Sequence, residues 1–428
     1  MARTPSAPLP TAPAEDLVDE AERAYRGALT GADAYRAARL AVRLDHEVLR
    51  LGNRFTTVDR FREIGFVAVG RAAVSLAYAF VDGLGDRLTQ GFLAGPDPVP
   101  DEIPFQHQRV SSDGVGAPDA EKVAAAALEL AGGLGERDLL LVALSPGALG
   151  LLATPPPGLG APAYEAFLGE LRRAGASAPE TERFVRATAA GAAGGRLAAA
   201  GRARVVTLLV DRGGAPVALG GGPTVPLTPE ERAGALTLVR ERGLAERLPL
   251  ELRRPLTDPG APPPAAPARP VVVASPTDAL LGAGDGLSEA SWWSRLVEVG
   301  LADGPEAAAA QFFRRVEEIL PTIPRSRERR RGIALVAGAP LDLVDGAGEG
   351  PALEALLGAL QRDGRRRELR VAAFRTTGPR PGTPGRSGGL VDAVRPGIRP
   401  LPAADAGRPG VTDVGPVVVA LLPEPSAP

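Results

Sequence analysis

The chain has 428 residues, a formal net charge of −2, no cysteine and two histidines. That length predicts two domains. The near-neutral charge excludes a surface built to gather nucleic acid by its overall field, and the missing cysteines exclude disulfide frameworks and thiolate metal sites. Hydrophobic residues reach 44 %, enough for a sizeable core, but aromatics are only 4 %, so Leu, Val and Ala must fill it.

Residues 1–13 are rich in Pro and Ala and read as disordered. They lack the apolar stretch of a secretory signal. No run of about 18 apolar residues occurs anywhere, so a soluble cytoplasmic protein without a membrane partner is expected. From Ala14 to about Leu51 the pattern reads helical, with Leu17, Ala21, Tyr25 and Leu29 spaced by three to four. Ile64–Val69 then reads as a strand, followed by a glycine turn and a helix. Residues 97–119 read as loop. A helix is expected over Ala120–Ala131, a buried strand over Asp138–Leu144, helices over Ala163–Ala174 and about Ala178–Ala200, and an apolar strand over Arg204–Val210.

The stretch TDPGAPPPAAPARP, residues 257–270, reads as a linker. A strand restarts at Val271. Helices are expected near 288–301 and 305–319, and the basic run Arg325–Arg331 precedes the strand GIALVAG. A helix over Leu353–Leu360, a strand over Leu369–Phe374 and a last strand VVVALL close the pattern. Alternating helices and continuously apolar strands predict an α/β protein with a Rossmann-like parallel sheet covered on both faces. The expected division is a domain over 14–256 and a smaller α/β region over 271–428.

His46 and His107 stand far apart without metal-ligand spacing and read as surface or core residues. Lys122 is the sole lysine, so no mechanism can call on a lysine elsewhere. GRAA, Gly70–Ala73, falls where a strand turns into a helix, a place where free N–H groups attract anions. It reads equally as a tight turn with a surface arginine. LSPGALG, Leu144–Gly150, is a second such turn, although Pro146 offers no N–H. GGGPT, Gly220–Thr224, is either a phosphate cradle or a bend. None of these matches a P-loop.

The order of these pieces resembles the glycerate 2-kinase family, whose C-terminal part is the MOFRL domain, from about residue 60 to residue 422. VAVGRAAVSLA resembles the family's strand and GxGKA turn. DLLLVALSPGALGLL, Asp138–Leu152, resembles DLVLVLISGGGSALL, and ATPPPGLG echoes a PAPxxG loop. VRATAAGAAGGRLA, Val185–Ala198, resembles VRKHLSxxKGGRLA. TLLVDRGGAPVALGGGPT resembles a strand followed by SDVxGDD and SGPT, and GRPGVTDVGPVVVALL, Gly407–Leu422, resembles TGPTGTNVNDLVVALL.

The departures fall on charged and polar positions. The family lysine of GxGKA is Arg71, the two lysines of the KGGRLA stretch are Ala187 and Ala193, and its histidine is Thr188. The serine of SGGGSAL is Leu149. SDVxGDD keeps only Asp211. In the C-terminal part Ala339, Ala352 and Leu353 replace a glutamate, an arginine and an asparagine, and Gly378 and Pro381 replace two aspartates. Phosphoryl transfer relies on Mg²⁺ held by carboxylates and on cations around the migrating group.

The resemblance therefore implies three alternatives. The first is a non-catalytic homologue that keeps its cleft for a small anion or nucleotide. The second is an active kinase with relocated groups, using ATP and Mg²⁺. The third is an interaction module working through the proline-rich linker and Arg325–Arg331. The resemblance assigns substrate or phosphate binding to Ser145, Gly147, Arg186, Gly194, Gly195, Arg196, Thr224, Thr377 and Thr412. It assigns a catalytic clamp to Arg71 and metal binding to Asp211 and Asp413. It is also compatible with a MOFRL-like domain at about 332–424 and with a homo-oligomer.

Overall fold

The computed structural model describes residues 14–111, 116–211, 222–258, 270–297, 305–322, 332–338, 359–360, 370–375, 391–392 and 416–423. Two helices, α1 (Ala14–Gly31) and α2 (Ala34–Ala41), open the chain. The Asp33 carboxylate caps α2 by accepting the N–H of Arg36. The expected helix ends there, because Val42–Leu51 forms a hairpin of β1 (Val42–Asp45) and β2 (Val48–Leu51), and β3 (Arg54–Thr57) adds a third antiparallel strand. His46 sits in the hairpin turn at φ +54°, a conformation no helix can carry through.

The main sheet has six strands, all parallel. They are β4 (Ile64–Val69), β5 (Gln90–Gly95), β6 (Gln106–Arg109), β7 (Leu139–Leu144), β10 (Arg204–Val210) and β11 (Val271–Ala274), in the spatial order β6-β5-β4-β7-β10-β11. The short pair β8 (Ala153–Thr154) and β9 (Ala190–Gly191) lies outside it. β6 falls inside the segment expected to be loop. It is a four-residue polar edge strand, QHQR, without the apolar signature by which strands are read.

Residues along β4 and β7 alternate between two cores. Ile64, Phe66, Ala68, Leu139, Leu141 and Ala143 face a cluster that includes α1, α2 and α3 (Ala73–Leu84). Val67, Val69, Leu140, Val142 and Leu144 face another that includes α4 (Ala120–Gly133). Both faces are covered, so these strands are apolar throughout. A third cluster binds the helices Ala161–Arg173, Ala178–Thr188, Pro229–Glu241 and Leu250–Thr257 into a helical cap. The helix from Ala178 stops at Thr188, well short of Ala200, because Gly191, Gly194 and Gly195 take φ of +65°, +62° and +85°.

Beyond the expected linker at 257–270, β11 pairs with β10 as the last strand of the first sheet. The helix Pro276–Glu289 then packs on α1 so closely that a Cβ on Gly27 would stand 2.2 Å from the Gly282 carbonyl oxygen. A second sheet, in the order β12-β13-β16-β14-β15, follows. Its strands are β12 (Trp292–Val297), β13 (Gly332–Gly338), β14 (Arg370–Arg375), β15 (Val391–Asp392) and β16 (Pro416–Pro423). β12 replaces the helix expected at 288–301, and its paired tryptophans and valine favour a pleated surface. The expected disordered N-terminus, most of the linker, Arg325–Arg331 and nearly all of the helix expected at 353–360 lie outside the described residues.

Candidate functional site

In the main sheet the chain runs outward from β4 to β6, then returns to the other side of β4 to lay down β7, β10 and β11. The strand order reverses between β4 and β7. In open α/β sheets ligands bind at such a reversal, outside the carboxyl ends of the strands. Here that place is formed by Gly70–Ala72, after β4, and Ser145–Gly147, after β7.

The two turns are stitched to each other. The N–H of Arg71 donates to the Pro146 carbonyl at 2.9 Å. The N–H of Ala72 donates to Ser145 Oγ at 3.0 Å, and Ser145 Oγ–H donates to the Val69 carbonyl at 3.1 Å. Ala73 N–H turns back to the Gly70 carbonyl at 3.2 Å. These N–H groups at the start of α3 are the ones an anion would use, and all three have acceptors within the protein. Gly70 permits the closeness: at φ +110° it has no Cβ, and one placed there would lie 2.5 Å from both Ser145 O and Ser145 Oγ. Ser145 is buried, and Gly147 follows at φ +92° as the N-cap of the helix Ala148–Leu152.

A second group of expected residues gathers at the helical cap. It is linked to the first through that helix, whose Leu152 carbonyl accepts the N–H of Ala192. Gly195 N–H donates to the Gly222 carbonyl at 2.9 Å, and Leu197 N–H to the Pro223 carbonyl at 3.1 Å. A Cβ on Gly195 would meet Pro226 Cα at 2.7 Å, so GGR and the 222–226 segment fit as one unit.

Arg186, expected to hold a ligand, is only 1 % exposed. It pairs with Glu231 at 2.7 Å and donates to the Val225 carbonyl at 3.2 Å. Burial holds its pKa below the ordinary arginine value, opposed by Glu231. Through these contacts it ties the helix ending at Thr188 to the helix starting at Pro229. Thr224 is buried too, and its Oγ1 receives the hydroxyl of Thr207 from within β10 at 2.8 Å.

Arg196 is exposed overall, yet Nη1 turns back to the carbonyls of Ala189 and Ala193, at 2.9 and 3.0 Å. Desolvation, reinforced by the like charge of Arg232, lowers its pKa. Arg71 is half-buried beside the stitched turns. Asp211 is half-buried at the carboxyl end of β10, with its N–H on the Ala274 carbonyl. Thr377, Thr412 and Asp413 lie outside the described residues.

Among the described residues no three His, Cys, Asp or Glu side chains come together to hold a metal ion. Asp211 alone does not make a Mg²⁺ cage, and the N–H groups at the start of α3 are already engaged. No helix of the described residues is long and apolar enough to cross a membrane.

Two residues carrying this architecture were not singled out from sequence, Glu231 and Arg232. Thr228 and Glu231 form a capping box, and the sequence TPEE is its signature. Nothing in the sequence says that the same Glu231 would also reach Arg186.

A doubly wound parallel sheet with a strand-order reversal, a helical cap and a second mixed sheet defines the class. Comparison with known proteins gives the family. Residues 20–257 match the model described as a domain of unknown function, DUF4147, which covers more than half of the chain. The chain belongs to this DUF4147 family. It is 28 % identical over 267 residues to the human protein named glycerate kinase, covering 58 % of this chain and 51 % of that one. The chain thus spans about half the length of that curated relative. Two solved structures share the fold, each with a TM-score of 0.67. One is the PH0495 protein from Pyrococcus horikoshii OT3, 19 % identical, covering 96 % of this chain and all of that one. The other is glycerate kinase from Thermotoga maritima, 20 % identical, covering 95 % of this chain and all of that one.

Proposed function

We propose that this chain is a glycerate-kinase homologue that has lost, or strongly altered, phosphoryl transfer from ATP to glycerate while keeping the scaffold. One observation carries this. At the β4–β7 reversal the N–H groups of Arg71 and Ala72 are taken by Pro146 and Ser145, so the start of α3 presents neither to a phosphate.

The positions of the missing family charges support it. Ala187 and Ala193, where the resembling motif carries lysines, are buried in the cluster of the helical cap. Leu149, where it carries a serine, packs against the same cluster. Thr188, in place of its histidine, is buried, with its hydroxyl shared between Tyr164 and the Phe184 carbonyl. A lysine at 187 or 193 would place its Cβ among apolar groups, and an unpaired charge there is costly. Apolar packing at these positions, together with the exposure of Lys122 on α4, supports the reading.

The test is a coupled assay of the purified full chain with glycerate, ATP and Mg²⁺. The expected result is no phosphoglycerate above a no-enzyme control. Turnover at ordinary kinase rates, on the order of 1–100 s⁻¹, would restore the alternative of an active enzyme with relocated groups.

A further inference from the structure

Far from the strand-order reversal, α1, α2 and the helix Pro276–Glu289 border an open trough of about 720 Å³. The arginines that α1 sends into it are already matched: Arg26 pairs with Glu22 at 2.7 Å and Arg23 with Glu20 at 3.8 Å. The Asp33 carboxylate accepts the N–H of Arg36. That leaves Arg36 on α2, and Asp285 and Glu289 on the helix Pro276–Glu289. None of these three side chains has an ion pair or hydrogen bond among the described residues, although all three line the same trough and are exposed.

Two leucines stand beside them. Leu40 is 53 % exposed and Leu281 49 % exposed. Their spacing is regular: Leu40 follows Arg36 by four residues, and Leu281 precedes Asp285 by four. Residues four apart on a helix lie on one face, about 6 Å apart along the axis. α2 therefore carries a stripe of Arg36 then Leu40. The other helix carries Leu281 then Asp285, with Glu289 one turn further on. Laid antiparallel, the two stripes match at both positions, leucine on leucine and guanidinium on carboxylate. Within one chain they do not meet.

The charge pattern selects the occupant. The trough is lined by three arginines, Arg23, Arg26 and Arg36, and three acids, Asp33, Asp285 and Glu289. A strongly acidic or strongly basic partner would be repelled by one of its walls. A surface that carries both halves of a complementary pair matches itself, and a two-fold axis makes each contact twice.

We propose that this face is a dimer interface, in which α2 of one copy docks antiparallel on the helix Pro276–Glu289 of a second copy. Leu40 packs on Leu281 of the second copy, and Arg36 pairs with its Asp285, beside Glu289. The exposed leucines supply the apolar contact, and the charges fix direction and register. The interface lies apart from the β4–β7 turns and stands whether or not the chain is a kinase.

The experiment is sedimentation velocity with light scattering on the full chain over about 1–100 µM, a range in which an interface of modest size is expected to fill. A concentration-dependent dimer is expected, weakened by added salt. Arg36→Asp and Asp285→Arg should each weaken dimerisation by about tenfold or more, because like charges then face each other. Leu40→Ser should weaken it as well. These positions are exposed, so the circular dichroism spectrum of each variant should match that of the parent. An equimolar mixture of Arg36→Asp and Asp285→Arg should associate again, since both contacts of the mixed pair set a carboxylate against a guanidinium. A chain that stays monomeric throughout would overturn the proposal. So would a dimer indifferent to both charge substitutions, or a mixture that associates no better than either variant alone. Association is measured without ATP or glycerate, so its outcome is independent of the kinase assay.

Discussion

The hydroxyl of Ser145 accepts the backbone N–H of Ala72 at 3.0 Å, joining turns that lie 73 residues apart in the chain. It also donates to the Val69 carbonyl. One small side chain thus closes the gap between β4 and β7 at the point where the strand order reverses. Replacing Ser145 by Ala removes one oxygen and leaves a buried N–H without its acceptor. The expected cost is about 1–3 kcal/mol, read as a fall in the thermal midpoint. If the engaged N–H groups are what keep a phosphate out, Ser145→Ala should also gain a measurable response to phosphate at the freed N–H.

Gly70 and Gly85 separate steric closeness from backbone preference. Both have positive φ, +110° and +51°. A Cβ on Gly70 would collide with Ser145 backbone and side chain, whereas one on Gly85 meets nothing within 4 Å. Gly85, at φ +51° and ψ −132°, takes a backbone conformation open essentially to glycine, so Gly85→Ala should cost about 1–3 kcal/mol from backbone strain alone. Gly70→Ala must also push two strand ends apart, and it is expected to abolish recovery of soluble folded protein. Equal behaviour of the two variants would mean that the turns are not as tightly joined as described.

Much of this architecture was legible in the sequence. Ile64–Val69, Asp138–Leu144 and Arg204–Val210 are continuous apolar runs, and a strand buried on both faces leaves no other pattern. What failed were segments whose local composition is ambiguous. AYRAARLAVRLDHEVLRL reads as one helix by its leucines and arginines, but the helix ends at Ala41 and the turn at His46 folds the rest into a hairpin. QHQR carries no apolar signal at all and becomes a strand because β5 offers it an edge. The site was legible in part. The reversal turns at Gly70 and Ser145 follow from strand-then-glycine spacing. Their mutual hydrogen bonds, and the coupling of Arg186 to Glu231 across 45 residues, are tertiary facts that spacing does not encode.

Arg186 and Glu231 give a direct test of whether that pair is structural. The Arg186 side chain is fully buried and Glu231 is 23 % exposed. Glu231→Gln leaves a buried guanidinium uncompensated and should cost about 3 kcal/mol. Thr228→Ala removes only the helix cap, at about 1 kcal/mol. Combining Glu231→Gln with Arg186→Met should recover most of the loss, because the stranded charge is gone. A ligand-binding Arg186 would behave otherwise: Arg186→Met alone would leave the melting temperature unchanged and remove ligand response.

Asp138 sets an acid limit. Its carboxylate is buried below β7, and desolvation alone would raise its pKa. The Arg62 guanidinium, at 2.8 and 3.2 Å, and the N–H groups of Gly135 and Glu63 more than offset this, so the net shift is downward from 3.8. A carboxyl whose folded pKa lies below its unfolded value adds stability above the unfolded pKa, and that stability disappears as pH falls through the folded pKa. The Asp138 contribution is therefore complete at neutral pH and is lost only below about pH 4. Asp138→Asn should melt lower at pH 7 yet show a shallower decline between pH 4 and pH 2.5. Some decline must remain, because Glu180, held by Ser177 and Arg242, is also shifted downward against its desolvation. Parallel curves for the parent and Asp138→Asn below pH 4 would show that another group governs acid unfolding.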